Sequence, residues 1–341
     1  MYESYFGLAE LPFELTANSK YLFLTARQRE ALSTLQYGLF SAKALTVLIG
    51  EAGTGKTTLI RAALESERCR NVRCVYLDNP VLSTDDFVRL LAIRFDLGDD
   101  VADSKAILLE RLRAVLAERR NRGEITALVI DEAQSLGTPL LEELRLLANI
   151  ETPTQKLLPL LMAGQPELAT RLEVPELRQL KQRVTLRCEL TPLSVTDTAD
   201  YIASRVRTAG GVAARLFSRE AIILIHENAG GIPRSINVIC DNALLSAMAV
   251  ARPRVDRAIV AEVCRDLRLT SSTTTTRPQL PLAGRRQAAL KVPTPDETDE
   301  GEAAVEPQAV AEAAPPRRRR FPFGFGAPGG GARTSTRILT E

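Results

Sequence analysis

The sequence has no tryptophan, a single histidine, and aromatic residues at only 5% of its 341 positions. A core short of large rings has to rest on Leu, Ile, Val and Ala, the usual stock of helix-rich α/β proteins. With no Cys or acidic cluster at ligand spacing around it, His226 reads as structural and offers no metal site of its own. The five cysteines (Cys69, Cys74, Cys188, Cys240, Cys264) form no C-x-x-C pair, and their odd number argues against a disulfide framework. No apolar run approaches the roughly 18 residues that cross a bilayer, and Met1 to Glu10 carries acids where a secretory leader carries basic residues. These absences predict a reduced, soluble, cytoplasmic chain without a signal peptide. Charge of one sign is also missing: 44 Lys and Arg face 42 Asp and Glu, so overall charge gives no argument for a nucleic-acid partner.

What is present is hydrophobic patterning, with 45% apolar residues, enough for two packed domains and a tail. Residues 1–44 read as an aromatic-rich lead-in, with a helix from Thr25 to Ser41, packed on the main domain. Short apolar runs at Leu45–Ile49, Val72–Leu77, Ala127–Ile130, Leu157–Met162 and Val184–Leu190 predict five buried strands. Helical stretches lie between them: Thr57–Glu67, Thr84–Phe95, Ser104–Arg119, Thr138–Asn149 and a short one from Pro166. This alternation implies an α/β fold with a parallel sheet covered on both faces over residues 45–191. Four amphipathic segments, at about 194–208, 218–228, 232–250 and 254–268, predict a small all-helical domain over 192–269. From 270 to 341 the composition turns to Thr, Pro, an acidic block and a glycine-rich end. Such a segment buries too little apolar surface to offset its ordering entropy and reads as disordered.

Gly50-Glu51-Ala52-Gly53-Thr54-Gly55-Lys56-Thr57 fits G-x-x-x-x-G-K-[ST] between a strand and a helix. Glycines let the loop wrap a phosphate so that backbone N–H groups and the helix N-terminus face its charge. Lys56 then reaches the β- and γ-phosphates and the Thr57 hydroxyl ligates Mg²⁺. Leu128-Val129-Ile130-Asp131-Glu132 delivers two acids at the C-terminal end of a buried strand, where ligands of parallel sheets bind. Asp131 suits Mg²⁺, and Glu132 suits the base that activates water.

Together with these motifs, Met1-Tyr2-Glu3-Ser4-Tyr5-Phe6-Gly7-Leu8, Pro12 to Thr16, Gly50 to Thr58, Val129 to Gln134 and Gly164 to Leu168 resemble the ExeA/GspA type of AAA+ ATPase, over about residues 1–268. Transposition ATPases of the TnsC and MuB kind are related. The resemblance implies a P-loop sheet of strand order 5-1-4-3-2 with a helical lid, ATP as substrate and Mg²⁺ with it. It extends the nucleotide-binding set to Thr58. It further implies that Gln165, where the family often has Asn, is the sensor 1 residue. Arg183 stands where the family has an arginine finger that enters a neighbour's site, with Arg178 competing for that role. Arg234, in Gly230-Gly-Ile-Pro-Arg234, matches the sensor 2 position on a lid helix. The stretch Thr16 to Lys20 lacks the proline-rich turn of the family opening, which leaves the adenine contacts unassigned. Longer secretion-type members continue into a membrane span and an envelope-binding domain, where this chain has a polar tail.

The expectation is an ATPase that assembles into a ring or filament and acts on a protein partner in secretion or envelope biogenesis. A DNA-binding ATPase of the transposition-regulator type and a nucleotide-gated scaffold with little turnover are the alternatives. Arg119, Arg120 and Arg122 read as a solvated helix end. Arg317 to Arg320, beside Phe321, Phe323 and Phe325, offer salt-sensitive attraction to anionic lipid or nucleic acid.

Overall fold

The computed structural model describes residues 1–16, 19–78, 82–98 and 104–268; the tail, with its basic run, lies outside them. In chain order the first elements are α1 (Tyr2–Phe6), α2 (Ala26–Phe40), β1 (Leu45–Gly50), α3 (Lys56–Leu64), β2 (Val72–Leu77), α4 (Thr84–Phe95), α5 (Lys105–Asn121) and β3 (Ile125–Ile130). Next come α6 (Thr138–Leu147), β4 (Leu160–Gly164), α7 (Pro166–Arg171), α8 (Arg178–Lys181) and β5 (Val184–Leu190). The chain then turns helical through α9 (Val195–Thr208), α10 (Ala213–Leu216), α11 (Arg219–Ala229), α12 (Pro233–Ala249) and α13 (Arg257–Asp266).

All strand pairs are parallel, in the order β2-β3-β4-β1-β5, which is the implied 5-1-4-3-2 read from the other edge. The inner strands β1, β3 and β4 are buried at every position, whereas the edge strand β5 alternates. That is the burial that helices on both faces impose. On one face Val47, Ile49, Leu128, Ile130 and Met162 pack with residues of α4 to α8. On the other, Leu48, Ala127, Val129, Leu161 and Ala163 pack with Leu35 and Leu39 of α2 and Leu59 and Ile60 of α3. Thr25 starts α2 with a capping box, its hydroxyl accepting from the Gln28 N–H while Gln28 accepts from the Thr25 N–H. Such a cap is worth about 1 kcal/mol.

β4 begins at Leu160, not at Leu157 as the apolar run predicts. Pro159 has no N–H for a sheet ladder. The Leu157 N–H is already spent on the Ile150 carbonyl at 3.0 Å, closing a tight turn in which Glu151 and Lys156 pair antiparallel. Leu157 and Leu158 are buried nonetheless.

The lead-in divides differently from expectation. α2 lies on the sheet, but Tyr2, Leu8 and Phe13 share a core with α9, α11, α12 and α13. Phe13 meets Phe217 edge to face at 6.0 Å, and the Ala9 N–H donates to the Ala209 carbonyl at 2.8 Å. Tyr2 donates its phenol to Asp241 of α12. Large apolar residues at positions 2, 8 and 13 need a groove, and the helical layer supplies it. Among the described residues no helix is long and apolar enough to cross a membrane.

Candidate functional site

The loop between β1 and α3 depends on two glycines with positive φ, Gly53 at 80° and Gly55 at 96°. Other residues enter that region at a cost of roughly 1–2 kcal/mol. At its end the N-terminus of α3 points its free N–H groups and positive dipole into the loop, an arrangement suited to phosphate. Lys56 is buried, and its Nζ donates to the carbonyls of Gly50 at 2.8 Å and Glu51 at 3.2 Å. Burial lowers its pKa from the usual lysine value, opposed by the negative charges of Glu132, Asp131 and Glu51. Among the described residues no carboxylate is in ion-pair contact with Nζ, an environment suited to an added anion.

Asp131, at the end of β3, is buried and fully engaged. Its Oδ2 accepts from the Thr57 hydroxyl at 2.6 Å and from the Tyr76 phenol at 2.7 Å. Its Oδ1 accepts from the Glu132 N–H at 3.0 Å. Burial first, and then the Asp131 charge, push the Tyr76 phenol far above its ordinary pKa, so it remains a donor. Thr57 and Asp131 therefore meet, as the two motifs require. Among the described residues no group of three His, Cys, Asp or Glu side chains gathers to hold a metal by itself.

Glu132 adopts a left-handed backbone, φ 52° and ψ 35°, unusual for a residue with a Cβ. Its Oε2 accepts from Gln134 Nε2 at 2.6 Å and from Gln165 Nε2 at 3.4 Å. The side chain of Gln165, expected at the sensor 1 position, thus reaches the Glu132 carboxylate. Arg234 heads α12, and its N–H donates to the Gly53 carbonyl at 3.2 Å, joining the helical layer to the glycine loop.

Of these groups Gly53, Gly55, Lys56, Thr57, Glu132 and Arg234 border a cavity of about 380 Å³, within the range of small-molecule sites, while Asp131 and Gln165 stand behind its lining. Its floor is Gly53 to Leu59 with Glu132, and its roof is Tyr201, Arg205, Pro233, Arg234 and Asn237. Thr16, Tyr21 to Leu24 and Gln28 of the lead-in close one side. Residues that sequence reasoning missed stand out here. Arg205 is buried between the rings of Tyr21, 4.5 Å away, and Tyr201, 5.6 Å away. It donates to the Pro12 and Glu14 carbonyls and to the Tyr201 hydroxyl, which in turn donates to Asn237 at 2.9 Å. The aromatic density of the lead-in was the one signal of this wall.

Arg178 and Arg183 are exposed and do not line the cavity. Val184, next to Arg183, pairs with Leu45 at the start of β1, whereas Gly50 pairs with Leu190 at its end. The length of a strand, about 20 Å at about 3.3 Å per residue, separates Arg183 from its own phosphate loop. His226 bonds Thr198 at 2.9 Å within the helical layer. Arg119, Arg120 and Arg122 are engaged locally, with Phe95, Gln155 and Glu118.

A family model described as AAA domain matches residues 40–172, from the end of α2 to α7, and so takes in both motifs. Residues 40–172 thus carry an AAA domain, and the described residues have the fold of the AAA+ class of P-loop proteins, with the strand order and helical layer that the resemblance implied. The chain is similar to General secretion pathway protein A of Aeromonas hydrophila, 41% identical over 249 residues that cover 73% of this chain and 45% of that one. It thus spans a little under half the length of that curated relative. Among solved structures it resembles Cdc6p from Pyrobaculum aerophilum, with TM-score 0.56 and 18% identity, covering 77% of this chain and 70% of that one. The ORC1 protein of Aeropyrum pernix in complex with DNA is similar at TM-score 0.54 and 20% identity, covering 75% and 68%. At these identities the two structures show the fold alone.

Proposed function

We propose that the chain binds ATP with Mg²⁺, hydrolyses it, and converts the change of nucleotide state into a change of assembly between its own copies. The observation that carries this reading is the meeting of Thr57 and Asp131 at 2.6 Å beside a tethered Glu132, all bordering the loop of Lys56. A hydroxyl and a carboxylate in contact are hard oxygen donors of the kind Mg²⁺ takes, the rest of its shell coming from phosphate and water. When bound, the ion neutralises charge on the phosphate oxygens.

The chain's own groups do the remainder. Lys56 exchanges its two carbonyl partners for phosphate oxygens, and the N–H groups at the start of α3 hold the same anion. Glu132 accepts the proton of the attacking water, with Gln165 beside it. Tyr21, Tyr201 and the apolar lead-in wall receive the base. Arg234 follows the triphosphate and moves α12 with it. Arg183, a strand's length from its own site, serves a neighbouring copy, where a guanidinium offsets charge that develops on the transferred phosphoryl group. Similarity to General secretion pathway protein A supports a protein partner in secretion or envelope machinery.

A mixing experiment tests the shared site. Turnover per subunit is expected to rise with protein concentration, and Arg183→Ala and Glu132→Gln are each expected to lose most of it. Mixing the two restores part, because a subunit with Glu132 then meets a neighbour with Arg183. A mixture no more active than its components contradicts the trans arrangement, and ATP retained unhydrolysed by the parent chain points to a scaffold.

A further inference from the structure

Gln134 lies two residues beyond the water-activating acid, outside both nucleotide motifs, yet its side chain makes the shortest hydrogen bond that Glu132 has. The amide Nε2 donates to Glu132 Oε2 at 2.6 Å, against 3.4 Å for the competing amide of Gln165. At its other end Gln134 Oε1 accepts the main-chain N–H of Gln165 at 3.1 Å. One amide therefore spans from the acid after β3 to the residue after β4. Its backbone is held as well, since the Gln134 carbonyl accepts from Arg171 of α7 at 2.7 Å. Gly164 leaves the room for it: a Cβ there would lie 3.0 Å from Gln134 Oε1.

The backbone of Glu132 alone does not fix where its carboxylate points. The left-handed turn is tied by the Glu132 N–H to Asp131 and by the Ser135 N–H and hydroxyl to the Glu132 carbonyl, at 2.9 and 2.7 Å. Beyond Cα the side chain has three rotatable bonds, and the amide of Gln134 pins its far end. Hydrogen bonds to ionised groups are short and strong, so this one selects a rotamer. It engages Oε2 and leaves Oε1 for water. The task needs a group that donates at one end and accepts at the other; a carboxylate only accepts and a thioether does neither usefully.

We infer that Gln134 is a positioning residue for hydrolysis: it orients the Glu132 carboxylate towards the water and ties that orientation to the end of β4. The inference rests on the hydrolysis reading above. It acts through Glu132 and touches no substrate atom.

Gln134→Met keeps the size and removes both hydrogen bonds. Gln134→Glu keeps the size and the acceptor for the Gln165 N–H and replaces the donor to Glu132 by a second negative charge, so it turns Glu132 away without emptying the site, which guards against a fold defect in the first variant. Both are expected to lower kcat for ATP at least tenfold, with KM and the affinity for a fluorescent ADP analogue within twofold of the parent and little change in Tm. In single-turnover reactions of a Glu132→Gln background, adding Gln134→Met is expected to cost nothing further, since the group it orients is gone. Parent-like kcat in both variants overturns the inference while leaving hydrolysis by Glu132 intact. Equal losses in the two backgrounds, or a loss of nucleotide affinity in step with kcat, also overturn it, because they mark a structural role. A parent chain that binds ATP without turning it over removes the hydrolysis reading itself, and this one with it.

Discussion

Arg234 and Gly53 are in direct contact: the Arg234 N–H donates to the Gly53 carbonyl at 3.2 Å, and a Cβ on Gly53 would lie 2.7 Å from the Arg234 Cβ. The first helical turn of α12 and the middle of the phosphate loop are therefore fitted to each other, and on the proposed function this is the contact that couples nucleotide to the helical layer.

Gly53→Ala sets a methyl group against the side chains of Arg234 and Ile232, at 2.7 and 3.1 Å, and requires a φ of 80° that alanine resists. Destabilisation of about 1–3 kcal/mol is expected, with ATP affinity down at least tenfold. Gly137 is the control, since its φ is −66° and the nearest neighbour of an added Cβ is Pro139 Cδ at 3.5 Å. Gly137→Ala is expected to stay within about 0.5 kcal/mol. Urea unfolding and nucleotide titration of the two variants give the comparison.

Removing Arg205 leaves the Pro12 and Glu14 carbonyls and the Tyr201 hydroxyl without a shared donor and empties the space between two rings. A loss of about 2–4 kcal/mol is expected for Arg205→Ala, the usual cost of breaking a buried polar network. The lead-in is expected to come loose first, which hydrogen exchange at residues 8–13 reports as protection lost beyond that of the sheet.

Burial raises the pKa of all five thiols, Cys74 and Cys188 to about 12. At pH 8 the folded chain is expected to show no fast-reacting thiol towards a disulfide reagent, and five once denatured. The sign for stability follows from a folded pKa above the unfolded 9.0: the contribution is complete below about pH 9 and is lost as pH rises from 9 towards 12. A Tm series from pH 8 to 11 is expected to fall.

The inner strands β1 and β3 were legible because each is an unbroken apolar run between turn residues, and both motifs sat where strand meets helix. β4 slipped by three residues because a proline and a tight turn decide its start, not hydrophobicity. α1, α8 and α10, of five, four and four residues, are too short to show a helical period. Arg183, Gln165 and Arg234 had no signal in spacing and entered through the family resemblance alone. Tyr21, Arg205 and Asn237 were missed because the cavity wall joins segments about 180 residues or more apart, and only tertiary packing brings them together. Gln134 ends the family stretch Val129 to Gln134 without an implied role, since its bond to Glu132 depends on a left-handed turn that the sequence does not announce.

The central claim is that Glu132 activates water on a bound ATP. A single-turnover reaction, with enzyme in excess over γ-labelled ATP and Mg²⁺, compares the parent with Glu132→Gln at saturating binding. The parent is expected to release labelled phosphate, while the variant binds ATP with parent-like affinity and converts it at least a hundredfold more slowly. Phosphate release by Glu132→Gln at the parent rate would contradict the account.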